Sequence, residues 1–207
     1  CSQPTYSNRG SNNVAIDGSS CSISEANKIY IEDQFGFTST NITVTGYPFK
    51  YRNDYSAFSS NFTFYHTTRE LALAAAVYAN PANSTVVDVD GNAYVAPGML
   101  IQKAITAATE TKTVFVSAGT YTEQVDVTKS VEIRGANYGI NPNTGTRLPE
   151  SIIHMTSSNP PQRAFTVKNG NLTVVIDGFS FNGGSPLHDA HYTAPANTSS
   201  VTFKNNI

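Results

Sequence analysis

The chain has 207 residues and a formal net charge of −2, and Asp, Glu, Lys and Arg make up 14% of it, against roughly 25% in average soluble proteins. Its 13 Lys and Arg residues are scattered and form no basic run, which argues against a nucleic-acid partner. The longest apolar run, residues 71–79, is about half of the roughly 18 residues that a membrane span requires. The sequence therefore predicts no membrane span.

The opening segment, residues 1–20, is polar and has no hydrophobic periodicity, which predicts an extended arm. The two cysteines, Cys1 and Cys21, lie at its ends. A disulfide between them closes a loop of about twenty residues, contributes about 3 kcal/mol and implies an oxidising compartment. Two alternatives stay open: Cys1 is the processed terminus of a lipoprotein, or both thiols are unpaired.

A small β region is predicted between residues 28 and 66. Apolar and polar residues alternate there with period two in KIYIED, NITVTGY and NFTFYH, and turn residues separate these runs. Aromatic residues crowd into its second half, and four of them are candidate contacts for a glycan or a partner protein: Tyr47, Tyr51, Tyr55 and Tyr65. The alternative is that these rings fill the core of the β region.

Two helices are predicted next. Thr67 and Glu70 form a capping box before an Ala/Leu run that Asn80-Pro81 ends, which indicates a helix over about residues 68–79. The second helix is predicted from Pro97 to about Ala108. Its apolar residues form one stripe, which we expect to be buried: Leu100, Ile101, Ala104, Ile105 and Ala108.

Short apolar strands fill the rest of the chain. They reach Phe115, Ile133, Ile153, Ile176 and Phe203, so that a strand returns about every twenty residues or more. Strands spaced in this way, with Gly, Asn and Pro between them, are typical of a solenoid. A β-sandwich is less consistent with this spacing, because its turns recur every 8 to 12 residues.

A resemblance to a known family rests on five motifs that follow one another between residues 90 and 133. They are Asp90-Gly91-Asn92, Ile101-Gln102-Lys103-Ala104-Ile105, the strand at 114–116, Gly119-Thr120-Tyr121-Thr122-Glu123 and the strands over 125–133. In this order they resemble the opening of the right-handed parallel β-helix proteins of the pectin lyase-like superfamily, especially its pectinesterase-like branch. The resemblance covers about residues 86–207, and the segment after residue 134 is closer in style to large bacterial surface or secreted β-helix proteins.

The predicted fold class is all-β: a right-handed parallel β-helix (solenoid) with N-terminal capping helices and a small N-terminal β region. We expect two domains, residues 1–66 for the arm and the β region and residues 67–207 for the cap helices and the first coils, continuing beyond residue 207. The resemblance supplies the fold-signature positions Gly119, Tyr121 and Glu123, and two segments that resemble each other, residues 125–136 and 165–179, add Gly135 and Gly178. The last two suit a corner that needs positive φ or close backbone approach.

Catalytic residues are not identified. In pectinesterases the resemblance assigns catalysis to two Asp, an Arg and Gln residues downstream of the pentad 119–123, and this sequence has no counterpart of them. Arg134, which we expect to point outward from its strand, has no acidic cluster of the kind that pectate lyases use to hold Ca²⁺. We therefore predict no cofactor.

A metal site has one candidate set. Asp88, Asp90 and Asn92 resemble a fragment of a Ca²⁺ loop, because oxygen ligands alternate around a glycine. The twelfth position of such a loop requires Glu and is Met99 here, so a plain turn is the alternative.

The sequence as a whole favours a secreted or cell-surface structural or adhesive module of a larger protein that binds glycans or a surface protein. One alternative is a carbohydrate-active enzyme, a pectinesterase or polysaccharide lyase, whose catalytic residues lie downstream. The other is a self-assembling filament subunit, in which residues 1–20 add a strand to a neighbouring copy.

Overall fold

The structure is a computed structural model that describes residues 5–8, 15–17, 30–33, 42–45, 49–55, 60–66, 69–79, 81–156, 163–168, 170–183, 191–193 and 199–207. For the strands up to residue 66 and for residues 191–193 it describes the backbone. The chain divides into two compact units, Cys1–Val89 and Asp90–Ile207. The sequence placed its domain boundary earlier, between residues 66 and 67.

The first unit contains seven strands and one α-helix among its described residues. In chain order its elements are β1 (Thr5–Asn8), β2 (Ala15–Asp17), β3 (Tyr30–Asp33), β4 (Ile42–Thr45), β5 (Phe49–Tyr55), β6 (Ser60–His66), α1 (Arg69–Ala79), a 3-10 turn at Pro81–Asn83 and β7 (Ser84–Asp88). β1 pairs with β3 in parallel, and β2, β4 and β6 form parallel neighbours. β5 runs antiparallel to both β6 and β7.

The predicted all-β fold, a right-handed parallel β-helix with capping helices and a small N-terminal β region, is wrong. The structure consists of mixed sheets with a few short helices and about 40% strand, and no solenoid is shown over the described residues. Part of the physical reason is β7, which lies within the predicted solenoid segment 67–207 but pairs antiparallel with β5. A solenoid requires one strand direction throughout.

The second unit contains a short helix and eleven strands among its described residues. They are β8 (Ala93–Val95), α2 (Ile101–Ala107), β9 (Thr113–Val116), β10 (Gly119–Tyr121), β11 (Val125–Val127), β12 (Val131–Arg134), β13 (Ser151–Met155), β14 (Phe165–Val167), β15 (Thr173–Asp177), β16 (Phe179–Gly183), β17 (His191–Thr193) and β18 (Ser200–Lys204). The strands of this unit pair with one another in parallel, in the orders β8-β9-β12-β15-β18, β10-β13-β16 and β11-β14-β17.

Both predicted helices are present, α1 close to its expected bounds and α2 shorter than expected. The predicted apolar stripe of α2 is buried at Ile101, Ala104, Ile105 and Ala108, and the helix packs against β8, β9 and β11. Burial of this stripe, rather than helix propensity, holds so short a helix together, because isolated helices of this length are unstable in water.

The core of the second unit is aliphatic and aromatic. Alternate residues of its strands are fully buried, among them Val114, Ile133, Ile153, Phe165 and Ile176. Since successive side chains of a strand point to opposite faces, the residues between these positions lie on the outer faces of the sheets. The outer face of one sheet carries the candidate site.

Candidate functional site

One outer row of side chains crosses five neighbouring strands of the second unit. Tyr94, Phe115, Arg134, Asp177 and Lys204 are register partners in turn along β8, β9, β12, β15 and β18. Neighbouring strands lie about 4.8 Å apart, so the row extends over about 19 Å. We call these five residues the outer row.

Aromatic rings and an arginine form one end of this row. The rings of Tyr94 and Phe115 stack with their centroids 5.1 Å apart and their planes 12° apart. Arg134 places its guanidinium carbon 5.7 Å from the centre of the Phe115 ring and 5.0 Å from that of Tyr138. A cation over an aromatic face is attracted by the ring quadrupole. Tyr94, Phe115, Arg134 and Tyr138 are called the Arg134 stack below.

The guanidinium of Arg134 is fixed from a second side. Its Nη2 donates to Oε2 of Glu132 at 2.8 Å, and this hydrogen bond raises the pKa of Arg134. The Nε of Arg134 is buried and has no hydrogen-bond partner among the described residues. The two rings and Glu132 thus hold Arg134, and Arg134 in turn holds the ring of Tyr138.

Tyr138 is the most accessible member of the stack. The residue is 46% exposed, although its ring contacts Arg134 and meets the edge of Phe115 with centroids 6.3 Å apart. Its N–H donates to the carbonyl of Gly135, which places it in a turn just after β12. An exposed aromatic ring with a fixed orientation loses little side-chain freedom when it binds a ligand.

The charged end of the outer row anchors the turn that carries Tyr138. Asp177 is buried, and its Oδ1 accepts hydrogen bonds from the N–H of Gly139 at 3.1 Å and from Nδ2 of Asn205 at 2.8 Å. Its Oδ2 lies 3.4 Å from Nζ of Lys204. A buried carboxylate is stable only with such partners, and these partners connect the turn to β15 and to the residues after β18.

Gly135 and Gly178 allow the same turn to approach the sheet closely. Gly178 has φ +81, and a Cβ there would overlap the backbone of Asn137 and Tyr138. A Cβ on Gly135 would overlap the carbonyl oxygen of Gly178. The two predicted signature glycines therefore lie together, beneath the turn that presents Tyr138.

The loop after this turn is braced by polar contacts. The buried amide of Asn137 donates to the carbonyl of Leu148 and accepts from its N–H, at 2.9 and 2.7 Å. Arg147 pairs with both carboxylate oxygens of Glu150, which lowers the pKa of Glu150, and also donates to the carbonyl of Asn205 at 2.9 Å. These contacts order the loop and leave Leu148 61% exposed.

The last residue of the pentad 119–123, Glu123, caps the start of helix α2. The carboxylate of Glu123 accepts hydrogen bonds from the N–H groups of Ile101 and Gln102, at 2.7 and 3.1 Å. Leu100, at the N-cap position, supplies no side-chain cap, so Glu123 satisfies amide groups that the helix leaves unpaired. Burial raises the pKa of Glu123, and the two N–H donors offset part of this rise.

Tyr121 and Gly119 complete the pentad. The hydroxyl of Tyr121 donates to the carbonyl of Ser117 at 2.8 Å, and burial, followed by the nearby charge of Glu123, raises the pKa of Tyr121. A Cβ on Gly119 would lie 2.6 Å from Cγ of Pro97. All three contacts are within the packing of the second unit, and none presents a reactive group to solvent.

Two further side chains fasten α2. The amide of Gln102 accepts from the N–H of Asp126 at 2.6 Å and donates to its carbonyl at 3.1 Å. Nζ of Lys129 donates to the carbonyls of Thr106 and Ala108, at 3.0 and 2.9 Å. A carboxylate at the start of the helix and an ammonium at its end both complement the helix dipole.

The candidate metal ligands Asp88, Asp90 and Asn92 lie at the end of β7 and in the turn between β7 and β8. Asp88 is the last residue of β7, Asp90 is exposed, and Oδ1 of Asn92 accepts from the N–H of Thr113 at 3.1 Å. Gly91 has φ +87 and accepts the N–H of Thr109, so it makes a turn against the end of α2. The described part of the chain contains no group of three or more His, Cys, Asp or Glu that could hold a metal ion.

The remaining predicted residues lie in less fully described parts of the chain. Cys1, Cys21 and Tyr47 are outside the described residues. Tyr51 and Tyr55 belong to β5, where they are register partners of Phe64 and Ser60, and Tyr65 of β6 is the partner of Lys50. The Arg134 stack was missed as a site, because its rings and its arginine are up to 44 positions apart in sequence, from Tyr94 to Tyr138.

Comparisons with protein-family models, curated proteins and solved structures give no match. Among the described residues, no helix has both the length and the apolar character required to cross a membrane.

Proposed function

We propose that this protein is a secreted or cell-surface adhesive module that binds a glycan at the Arg134 stack. The observation that carries the proposal is Tyr138, an aromatic residue that is 46% exposed and whose ring is nevertheless held in place by Arg134. Aromatic faces provide apolar contact area for sugar rings, and polar groups beside them fix orientation. The abundance of Ser, Thr and Asn in a chain with few charges supports an extracellular location.

The dimensions of the Arg134 stack support a narrow ligand. Tyr94, Phe115 and Arg134 lie on three neighbouring strands and span about 10 Å, and the row beyond them is interrupted by Asp177, which is buried against the N–H of Gly139. A stable protein partner would cover about 800 Å² of this chain, far more than the exposed part of one tyrosine ring. A chain of sugar units fits such a narrow row better than a second protein does.

The proposal is tested by replacing Tyr138 and measuring binding to immobilised glycans. Tyr138→Ala should weaken binding about tenfold, which corresponds to the loss of one central contact residue. Tyr138→Phe should keep most of the affinity, because it retains the ring that Arg134 contacts.

Leu148→Ala is the matched control, since Leu148 is also exposed but belongs to the neighbouring loop. It should leave the affinity unchanged. Equal affinities of the wild type and Tyr138→Ala, with unchanged circular dichroism spectra, would remove the Arg134 stack as the binding site.

A further inference from the structure

The charges along the outer row cancel in pairs. Arg134 pairs with Glu132 at 2.8 Å, with both side chains about a third exposed or less, and Lys204 lies 3.4 Å from Asp177. Glu132 lies beside the outer row on β12, and when it is counted with the row, two cations and two carboxylates leave this surface without net charge. In addition, the guanidinium carbon of Arg134 lies over the rings of Phe115 and Tyr138.

A polyanionic ligand would gain little at such a row. Its carboxylates or sulfates could accept from the outer edge of Arg134, but they would then lie beside the carboxylate of Glu132, and repulsion between these like charges offsets the attraction to Arg134. A hydroxyl-rich ligand has no such conflict, because hydroxyl groups can donate to Glu132 and accept from the outer edge of Arg134 while both residues stay paired.

We infer that the Arg134 stack selects a neutral, hydroxyl-rich glycan over an acidic one. This inference rests on the proposed function and adds the class of its ligand. Glu132 is then the residue that determines specificity: it positions Arg134 beneath Tyr138 and neutralises the cation that an acidic sugar would otherwise recognise.

The test compares neutral and acidic polymers on the wild-type chain. The neutral probes are galactan, mannan and β-glucan, and the acidic probe is polygalacturonate, whose ring differs from that of galactan at C6. We expect at least one neutral polymer to bind about tenfold or more tightly than polygalacturonate. Affinity for that polymer should stay the same between low and high salt, because screening acts on charged pairs.

The variant Glu132→Gln tests directly whether Glu132 determines the preference for a neutral ligand. It keeps a side chain of the same size but removes the carboxylate that is hydrogen-bonded to Arg134, so affinity for polygalacturonate should rise about tenfold and fall again at high salt. Glu110→Gln, which makes the same charge change at an exposed position after α2, should leave that affinity unchanged.

The outcomes separate the inference from the proposed function. Tighter binding of polygalacturonate by the wild type, or an unchanged affinity for it in Glu132→Gln, would overturn the neutral-ligand inference and leave a glycan-binding module standing. Binding of none of the four polymers would overturn both.

Discussion

At the scale of single residues, glycines and polar side chains place Tyr138 where it is exposed and fixed. Gly178 and Gly139 both have positive φ, +81 and +75, and both belong to this arrangement. They differ in the room available for a side chain: a Cβ on Gly178 would overlap backbone atoms of Asn137 and Tyr138, whereas a Cβ on Gly139 would meet nothing within 4 Å. This difference makes them a matched pair.

Gly139→Ala should lower the free energy of unfolding by about 1–2 kcal/mol, the cost of a left-handed conformation for a residue with a Cβ. Gly178→Ala introduces the same backbone strain and also pushes the turn away from the sheet. It should therefore lower the free energy of unfolding by more than Gly139→Ala does, and it should also weaken glycan binding. Chemical denaturation of the two variants measures the difference. Equal losses would mean that the close approach at Gly178 contributes nothing.

At the scale of elements, much of the local structure could be predicted from sequence. The Ala/Leu run and Asn80-Pro81 gave α1, and the apolar stripe gave the buried face of α2, because both depend on neighbouring residues. Strand pairing depends on distant residues, and the antiparallel pairs of β5 were missed for this reason. The Glu123 contact was missed similarly, although the apolar Leu100 at the start of α2 was a signal that the cap must come from elsewhere.

The cap of α2 gives a prediction about pH. Burial raises the pKa of Glu123 above its ordinary value of 4.5. The folded state therefore binds this proton more tightly than the unfolded chain does. The stabilising contribution of this proton is fully present below about pH 4.5 and is lost as the pH rises through the folded-state pKa. The free energy of unfolding of the wild type should therefore fall relative to that of Glu123→Gln between about pH 4 and pH 7.

Urea denaturation of both proteins across this pH range measures that difference. Glu123→Ala, which removes the cap entirely, should be less stable than the wild type by about 1 kcal/mol at pH 7. A difference that changes with pH in the opposite direction would show that the two N–H donors and the helix dipole outweigh the burial of Glu123.

At the scale of the whole molecule, the motifs recognised in the sequence have structural roles. The candidate site is formed by other residues, those of the Arg134 stack. Glu123, Tyr121 and Gly119 of the pentad pack within the second unit, while Gly135 and Gly178 support the turn with Tyr138. The predicted glycan contacts Tyr51, Tyr55 and Tyr65 stay a prediction. The Arg134 stack could not be read from spacing, because it depends on the register of β8, β9 and β12 and on a turn that returns over their outer face.

The central claim is that a glycan binds on the Arg134 stack, and NMR titration of the labelled chain with a neutral oligosaccharide tests it most directly. The ring signals of Tyr138 and the Nε–H signal of Arg134 should shift together and saturate at one ligand per chain. Signals of Ile152 and Ser180, which are register partners in another sheet, should stay in place. Saturable shifts confined to residues outside the stack, with Tyr138 and Arg134 unmoved, would contradict the claim.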